Sequence, residues 1–253
     1  TSGWAGTSTV LFQYDATNNK VKNCRILGSS QNNLSGHAAT VLFYRNSSAT
    51  GNDNNVIENC DIGPAGQLPH CAVSFLGSTT NTTVYNSNDT VRNCKIYDYF
   101  NVNGNSAGIY IGAGNTGIAI ENNRLYQTSS RVASGLNLNH NGIFVNNTNG
   151  NAFSIKGNTI GYSSSAGTGV YSANLKTGSY FYGIFLSAGV SAQSSISNNT
   201  IAGLDISGTS AGVNLINVQN GFTIISNNTI GSMTALSDIK YASGTSELHV
   251  FKI

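Results

Sequence analysis

Val91-Arg-Asn-Cys-Lys-Ile96 and Ile196-Ser-Asn-Asn-Thr-Ile201 are two copies of one six-residue phrase, and its recurrence decides the fold. The other copies are Val21-Lys-Asn-Cys-Arg-Ile26, Ile57-Glu-Asn-Cys-Asp-Ile62, Ile120-Glu-Asn-Asn-Arg-Leu125, Ile155-Lys-Gly-Asn-Thr-Ile160 and Ile225-Ser-Asn-Asn-Thr-Ile230. Successive copies are 36, 34, 29, 35, 41 and 29 residues apart. A fixed phrase with variable filler at such periods marks a solenoid, because one repeat cannot bury its apolar face until a neighbour stacks on it.

A second apolar phrase precedes each hexad: Val10-Leu-Phe12, Val41-Leu-Phe43, Val73-Ser-Phe75, Ile109-Tyr-Ile111, Ile143-Phe-Val145, Ile184-Phe-Leu186 and Val213-Asn-Leu215. Both phrases alternate as a strand with one buried face does. The 11 or 12 residues from Ile109 to Ile120 and from Ile184 to Ile196 hold two short strands and a bend, with no room for a helix. The expected fold is all-β, a right-handed parallel β-helix of about seven coils, with like positions stacked roughly 4.8 Å apart. Residues 1–253 read as one β-helix domain and as a segment of a longer protein, with a strand-like Leu248-His-Val-Phe-Lys-Ile253 at the end.

The fourth hexad position holds Cys24, Cys60, Cys94, Asn123, Asn158, Asn199 and Asn228. Stacked asparagines bond amide to amide along a column, so these seven are expected to form a structural ladder, with the cysteines as small buried replacements. The second position alternates in sign through Lys22, Glu58, Arg92, Glu121 and Lys156, and the fifth adds Arg25, Asp61, Lys95 and Arg124. Opposite charges on neighbouring strands stabilise a sheet, so these nine of the 22 charged side chains read as solvated ladders rather than chemistry.

Charged residues make up only 9% of the chain and the net charge is +2, with no basic patch interleaved with aromatics, so nucleic acid is not an expected partner. No run of 18 apolar residues exists to span a membrane as a helix. The four cysteines read as free thiols, since in-register parallel strands rarely present suitable Cβ vectors for a disulfide. An excess of Asn, Ser, Thr and Gly points to a secreted or cell-surface protein.

Chemistry is most readily sought in the variable bends 27–40, 63–72, 97–108, 126–142, 161–183 and 202–212. His37, His70 and His140 lie there at similar phase, without the acidic or thiol partners that a zinc site requires. Asp98, Asp205, Arg131 and Lys176 are the remaining candidates for a lyase or glycoside hydrolase, but no acid pair falls in neighbouring coils. No catalytic residue, cofactor or metal is therefore assigned. The outward middle residues of the first phrase include Tyr110, Phe144 and Phe185, an aromatic stripe suited to sugar rings, unless the Tyr-rich bend from Tyr171 to Tyr182 folds over it.

Through its Asn-Asn-x-Ile coils the chain resembles the pectate-lyase-like superfamily of β-helix proteins, a likeness that implies fold, since the catalytic motifs of those enzymes have no match here. Asn158-Thr-Ile-Gly161, Asn198-Asn-Thr-Ile201 and Asn227-Asn-Thr-Ile-Gly231 resemble the repeats of Bacteroidota surface proteins and adhesins exported by type IX secretion. That resemblance implies an adhesive surface segment and cargo of a secretion machinery, while the ladder-bound charges and absent acid pairs point to a non-catalytic structural role and the aromatic stripe to a surface polysaccharide or glycan as partner. The alternative is a polysaccharide-active enzyme working in the variable bends. Asp89-Thr90-Val91 resembles the O-glycosylation motif of the same phylum, which implies a modified Thr90 in an exposed bend.

Overall fold

Three parallel sheets wind through the chain in turn, each coil contributing one strand to each. In the computed structural model, which describes residues 8–45, 49–232 and 238–253, wall 1 has eight strands from Val10–Phe12 to Leu248–Lys252. Wall 2, from Lys20–Lys22 to Thr223–Ser226, and wall 3, from Arg25–Gly28 to Thr229–Ile230, have seven each. Every pairing is parallel and joins a coil to the next, so the fold is a right-handed parallel β-helix of seven coils with an eighth wall 1 strand. Among the described residues the single helical turn is the 3₁₀ segment Thr82–Val84.

The hexad is a corner. Its first two residues end a wall 2 strand and its last two begin a wall 3 strand. The third residue carries the turn at positive φ: Asn23, Asn59, Asn93, Asn122, Gly157, Asn198 and Asn227 all lie between 54° and 68°. Left-handed backbone strains most L-residues but suits glycine and asparagine, which explains why no other residue type stands there. A matching corner opens wall 2, with Asn18, Asn54, Asn88, Gly117 and Ala152 at 55–64°.

Such a corner takes backbone groups out of the sheets, and buried backbone groups must find partners. The fourth-position amides supply them. Asn158 Oδ1 accepts the backbone N–H of Asn123 and its Nδ2, both at 3.0 Å. Asn158 Nδ2 donates to the Ile120 carbonyl at 2.9 Å and to Asn199 Oδ1 at 3.0 Å. Asn199 repeats the pattern with Asn228. The column continues into the cysteines: Cys94 N–H donates to Asn123 Oδ1 at 2.9 Å, and Cys60 N–H to Cys94 Sγ at 3.4 Å. Cys94 Sγ lies 3.8 Å from the Ile57 carbonyl, in the place of the amide donor. These thiols therefore act as weak hydrogen-bonding substitutes for asparagine rather than as inert fillers. Cys24, expected to be buried, is exposed, because no earlier coil covers it among the described residues.

Two further side-chain columns stand at the other corner, in the four residues before wall 2. Asn52, Asn86 and Asn115 form one, linked Nδ2 to Oδ1 at 2.9 Å. Asn19, Asn55 and Asp89 form the other, with Asn55 Nδ2 donating to Asp89 Oδ1 at 2.9 Å. Between the corners the core is filled by stacked aliphatic rows, such as Ile57, Val91, Ile120, Ile155 and Ile196 on wall 2 and Ile62, Ile96, Leu125, Ile160 and Ile201 on wall 3, all essentially inaccessible. Each such side chain contributes about 1.5–3 kcal/mol by leaving water. On wall 1, Phe12, Phe43 and Phe75 stack with centroids 4.4 and 4.2 Å apart.

Glycine sets the distance between walls 1 and 3. A Cβ on Gly142 would lie 2.6 Å from the Gly183 carbonyl oxygen and 2.8 Å from Ile160 Cγ2. In the seventh coil the sequence alignment is three residues out. Val213 pairs with Phe181, and the residues beside Ile184-Phe185-Leu186 are Ile216, Asn217 and Val218. The Val213 phrase alternates well enough to mimic the true one. Another correction concerns the bends. From the fourth coil on they hold a fourth parallel sheet, wall 4: Arg131–Val132, Tyr171–Leu175, Leu204–Gly208 and Ile239–Ser243.

Lys22, Glu58, Arg92, Glu121 and Lys156 occupy one register row on the outer face of wall 2. Glu58 bridges Lys22 at 3.0 Å and Arg92 at 3.2 Å, and Lys95 pairs with Asp61 at 3.1 Å. Glu121 shares the row but makes no ion pair among the described residues. Hydrogen bonds from Lys22 and Arg92 hold the Glu58 carboxyl below its ordinary pKa.

Two outcomes follow from these columns. Asn158→Ala leaves the Asn123 N–H and the Ile120 carbonyl without partners, at a cost of roughly 2–5 kcal/mol, whereas Cys94→Asn completes the column and is expected to be neutral or stabilising; denaturant titration separates the two. Glu58→Lys is expected to lower the melting temperature at low salt more than Glu121→Lys does, with the gap narrowing as salt is added. Because the folded-state pKa of Glu58 is depressed, its contribution is present above the ordinary carboxylate pKa and lost as pH falls through the lowered value.

Candidate functional site

The outer face of wall 1 carries a register row running the length of the stack: Leu11, Leu42, Ser74, Tyr110, Phe144, Phe185, Asn217 and Lys252. The side chains stand outward because the residues on either side, such as Ile143 and Val145, point into the core. Tyr110 and Phe144 stack at 5.6 Å and Phe144 and Phe185 meet at 4.7 Å. The stripe is not fully open. Tyr110 and Phe185 are buried and Phe144 is half-exposed.

The covering differs from the expected one. Leu34 and Ala39, from the first variable loop, pack with Leu42, Tyr44, Cys71, Ala107 and Tyr110 into a second apolar cluster. The segment from Tyr171 to Tyr182 does not close over the stripe as a flap. Tyr171 is in the main core, and Tyr182 lies in wall 1 with its ring edge-on to Phe185 at 5.3 Å. Two shallow clefts remain beside Phe144 and Phe185. One, of about 250 Å³, is lined by Leu34, Asn105, Tyr110, Asn139, Phe144 and Asn146. The other, of about 330 Å³, is lined by Tyr182, Phe185, Asn217, Gln219 and Lys252 among others. Apolar rings flanked by amides form a surface that can take a ligand with both ring faces and hydroxyls.

Of the candidate acid–base groups, the structure brings Asp98 and Arg131 together as an ion pair, with both side chains only 10% exposed. Their polar atoms are engaged. Thr128 donates its N–H to Asp98 Oδ1 at 2.7 Å and its hydroxyl to Oδ2 at 2.6 Å, and Arg131 Nε donates to Gln127 Oε1 at 2.7 Å. Arg131 begins wall 4, so the pair anchors that sheet to the end of wall 3. Asp205 instead faces outward between Ser172 and Lys240, and Lys176 lines a separate open cleft with Thr209 and Ser243.

The histidines do not converge. His37 Nδ1 lies 3.4 Å from the Tyr44 hydroxyl, while His70 Nδ1 lies 2.9 Å from the Ser30 carbonyl. His140 is buried, its Nδ1 2.7 Å from Ser106 Oγ and its ring stacked 4.4 Å from Phe100. Burial pushes the His140 pKa down to about 4, so it is neutral at physiological pH. No cluster of three metal-ligating side chains occurs among the described residues.

Thr90 is not in a bend. It lies within the wall 2 strand Thr90–Arg92, half-buried between Val56 and Ala119, and its neighbour Asp89 is fully buried. Burial pushes the Asp89 carboxyl up to about 8, opposed only in part by the hydrogen bonds from Asn55. Oδ1 accepts both donors of Asn55, while Oδ2 has no partner.

No protein-family model matches the chain, and no curated protein matches it. A similar solved structure is the Streptococcus pneumoniae surface protein and adhesin PfbA, at 13% identity and a TM-score of 0.41. The match covers 95% of this chain and 64% of that one, so the chain spans less than two thirds of its length. Among the described residues no helix is long and apolar enough to cross a membrane.

Asp89 yields a pH test. A carboxyl whose folded-state pKa is raised stabilises the fold most below its ordinary pKa, and that stability is lost as pH rises from about 4 through about 8. Asp89→Asn removes the titration and is expected to gain on the order of 2–4 kcal/mol near pH 7 and little near pH 3. Melting curves of the two proteins across that range check it.

Proposed function

We propose that this chain is the rigid rod of a secreted or cell-surface β-helix protein, and that it serves an adhesive role by binding carbohydrate on the outer face of wall 1. The observation that carries the reading is the half-exposed Phe144 ring at one amide-lined cleft, in line with Tyr110 and with Phe185, which lines a second. A saccharide presents an apolar ring face for the aromatics and hydroxyls for Asn139, Asn146 and Asn217. Because the row runs along the stack, an extended glycan would lie parallel to the rod, one rung after another. Glycan strands of a cell surface have that shape.

The composition, rich in Asn, Ser, Thr and Gly and poor in charge, supports an exported protein. The Asn-Asn-Thr-Ile repeats support export as cargo of a type IX system. The competing reading, a polysaccharide-active enzyme, draws on the contact between Asp98 and Arg131.

Binding to a panel of bacterial, algal and host polysaccharides tests the proposal. The wild-type chain is expected to retain at least one glycan, and Phe144→Ala to weaken that binding by about tenfold, an aromatic contact being worth on the order of 1.5 kcal/mol. Equal binding by the variant, or none by the wild type, contradicts the site; release of new sugar ends would favour the enzyme.

A further inference from the structure

Beside Phe144, in the middle of the stack, a cleft of about 250 Å³ opens between the first variable loop and wall 1. That is small beside the roughly 300–1,000 Å³ of a drug-sized pocket, so it seats one residue of a longer chain. Four side-chain amides line it: Asn33 from the loop, Asn105 from the approach to wall 1, and Asn139 and Asn146 from wall 1 itself. Two of them are fixed in orientation. Asn105 Oδ1 accepts the backbone N–H of Asn139 at 2.7 Å, and Asn33 Oδ1 accepts the Ser35 hydroxyl at 2.9 Å. Their Nδ2 groups are left as donors. The side chains of Asn139 and Asn146 have no hydrogen-bond partner among the described residues, so each offers a donor and an acceptor.

The rest of the lining is apolar. Leu34 packs with Tyr110 in the second cluster, and Phe144 lies against it, so the three form a hydrophobic corner beside the amides. The loop holds Leu34 there through Asn32, whose N–H donates to His70 Nδ1 and whose carbonyl accepts Asn101 Nδ2, both at 3.2 Å. No charged residue lines this cleft, and the row from Leu42 through Ser74, Tyr110, Phe144 and Phe185 to Asn217 is uncharged as well. The cleft beside Phe185 differs, because Lys252 lines it.

We propose that the Phe144 cleft selects an uncharged N-acetylated hexosamine, with Leu34 as the specificity-determining contact. The assignment rests on the glycan reading of this face and narrows it to one class of sugar. An acetamido group carries a carbonyl, an N–H and a methyl, and the cleft offers a partner to each. The carbonyl accepts from Nδ2 of Asn33 or Asn105, and the N–H donates to Oδ1 of Asn139 or Asn146. The methyl enters the corner at Leu34 while the pyranose ring lies on Phe144. A hydroxyl in place of the acetamido group would face Leu34 without a partner on that side. A carboxylate or a free amine would leave water with no opposite charge to meet it, a larger penalty.

The test measures, by calorimetry, the binding of β1,4-linked tetrasaccharides of N-acetylglucosamine, glucose, glucosamine and glucuronate, which differ by one substituent on each ring. The acetylated tetramer should bind about tenfold or more tightly than the glucose tetramer, the factor that a methyl-sized contact in an apolar corner supplies. The two charged tetramers should bind more weakly still. Leu34→Ala should cut the preference for the acetylated tetramer to about twofold and leave glucose-tetramer binding nearly unchanged, whereas a purely structural role would weaken both alike. Asn139→Asp, equal in size but charged, should weaken the acetylated tetramer and strengthen the glucosamine tetramer. Equal binding of the acetylated and glucose tetramers, a preference that survives Leu34→Ala, or a preference for glucuronate that Phe144→Ala abolishes overturns the N-acetyl assignment and leaves the glycan reading standing. So does failure to bind the acetylated tetramer by a chain that retains another glycan through Phe144. A chain that binds no glycan, or binds one equally well after Phe144→Ala, overturns both.

Discussion

At the left-handed corner between walls 2 and 3 the chain turns within one residue, and the turn strands a backbone N–H and a backbone carbonyl in every coil. One side chain from the following coil answers both, an amide as Asn158 is for Asn123 and Ile120, or a thiol as Cys94 is for Cys60 and Ile57. That amide is fully engaged only when the next coil brings another, as Asn199 does for Asn158. The corner therefore couples each coil to its neighbours in both directions, and in-register stacking of the walls follows. The aliphatic rows supply most of the burial, but burial alone would tolerate a slipped coil. An unpaired amide in the interior would not.

With register fixed in this way, every outward position becomes a column along the rod. The columns divide by chemistry. Wall 2 carries alternating charge in its early coils, and wall 1 carries aliphatic, then aromatic, then amide and cationic side chains. A linear ligand can be matched rung by rung on such a surface without any deep pocket, which is why shallow clefts suffice for the proposed glycan contact. The loop containing Leu34 limits how much of the aromatic column is available, leaving Phe144 as its most open ring.

Much of this architecture was legible from the hexads, because a corner that demands Asn or Gly at its third position and Asn or Cys at its fourth writes itself into every coil. The register of Lys22, Glu58, Arg92, Glu121 and Lys156 followed directly. Ion pairing did not follow from register, since Glu121 faces cations without bonding to either, and side-chain rotamers decide that. The seventh coil misled because Val213-Asn-Leu215 and Ile216-Asn-Val218 both alternate, and only pairing with Phe181 and Ile184 distinguishes them. Wall 4 was hidden by its filler of variable length, although Tyr171-Ser-Ala-Asn-Leu175 and Leu204-Asp-Ile-Ser-Gly208 do alternate, with Tyr171, Ala173, Leu175, Leu204 and Ile206 inward. The columns through Asn52 and Asn55 left a signal that could have been found: Asn-Asp-Asn-Asn55 and Asn-Ser-Asn-Asp89 stand at one fixed offset before their hexads. The pairing of Asp98 with Arg131 and the cover over Tyr110 depend on loop paths, which no periodicity records.

The most direct measurement of the account is the distance between spin labels at Lys22 and Ser226, on the outer face of wall 2, in a chain carrying Cys24→Ser to remove the exposed thiol. These residues are 204 apart in sequence and six rungs apart in the stack. The account predicts a narrow distribution centred at roughly 29 Å, widened by a few ångströms for the label arms. A broad distribution, or a sharp one displaced by two rungs or more, would contradict the in-register column of coils on which everything else rests.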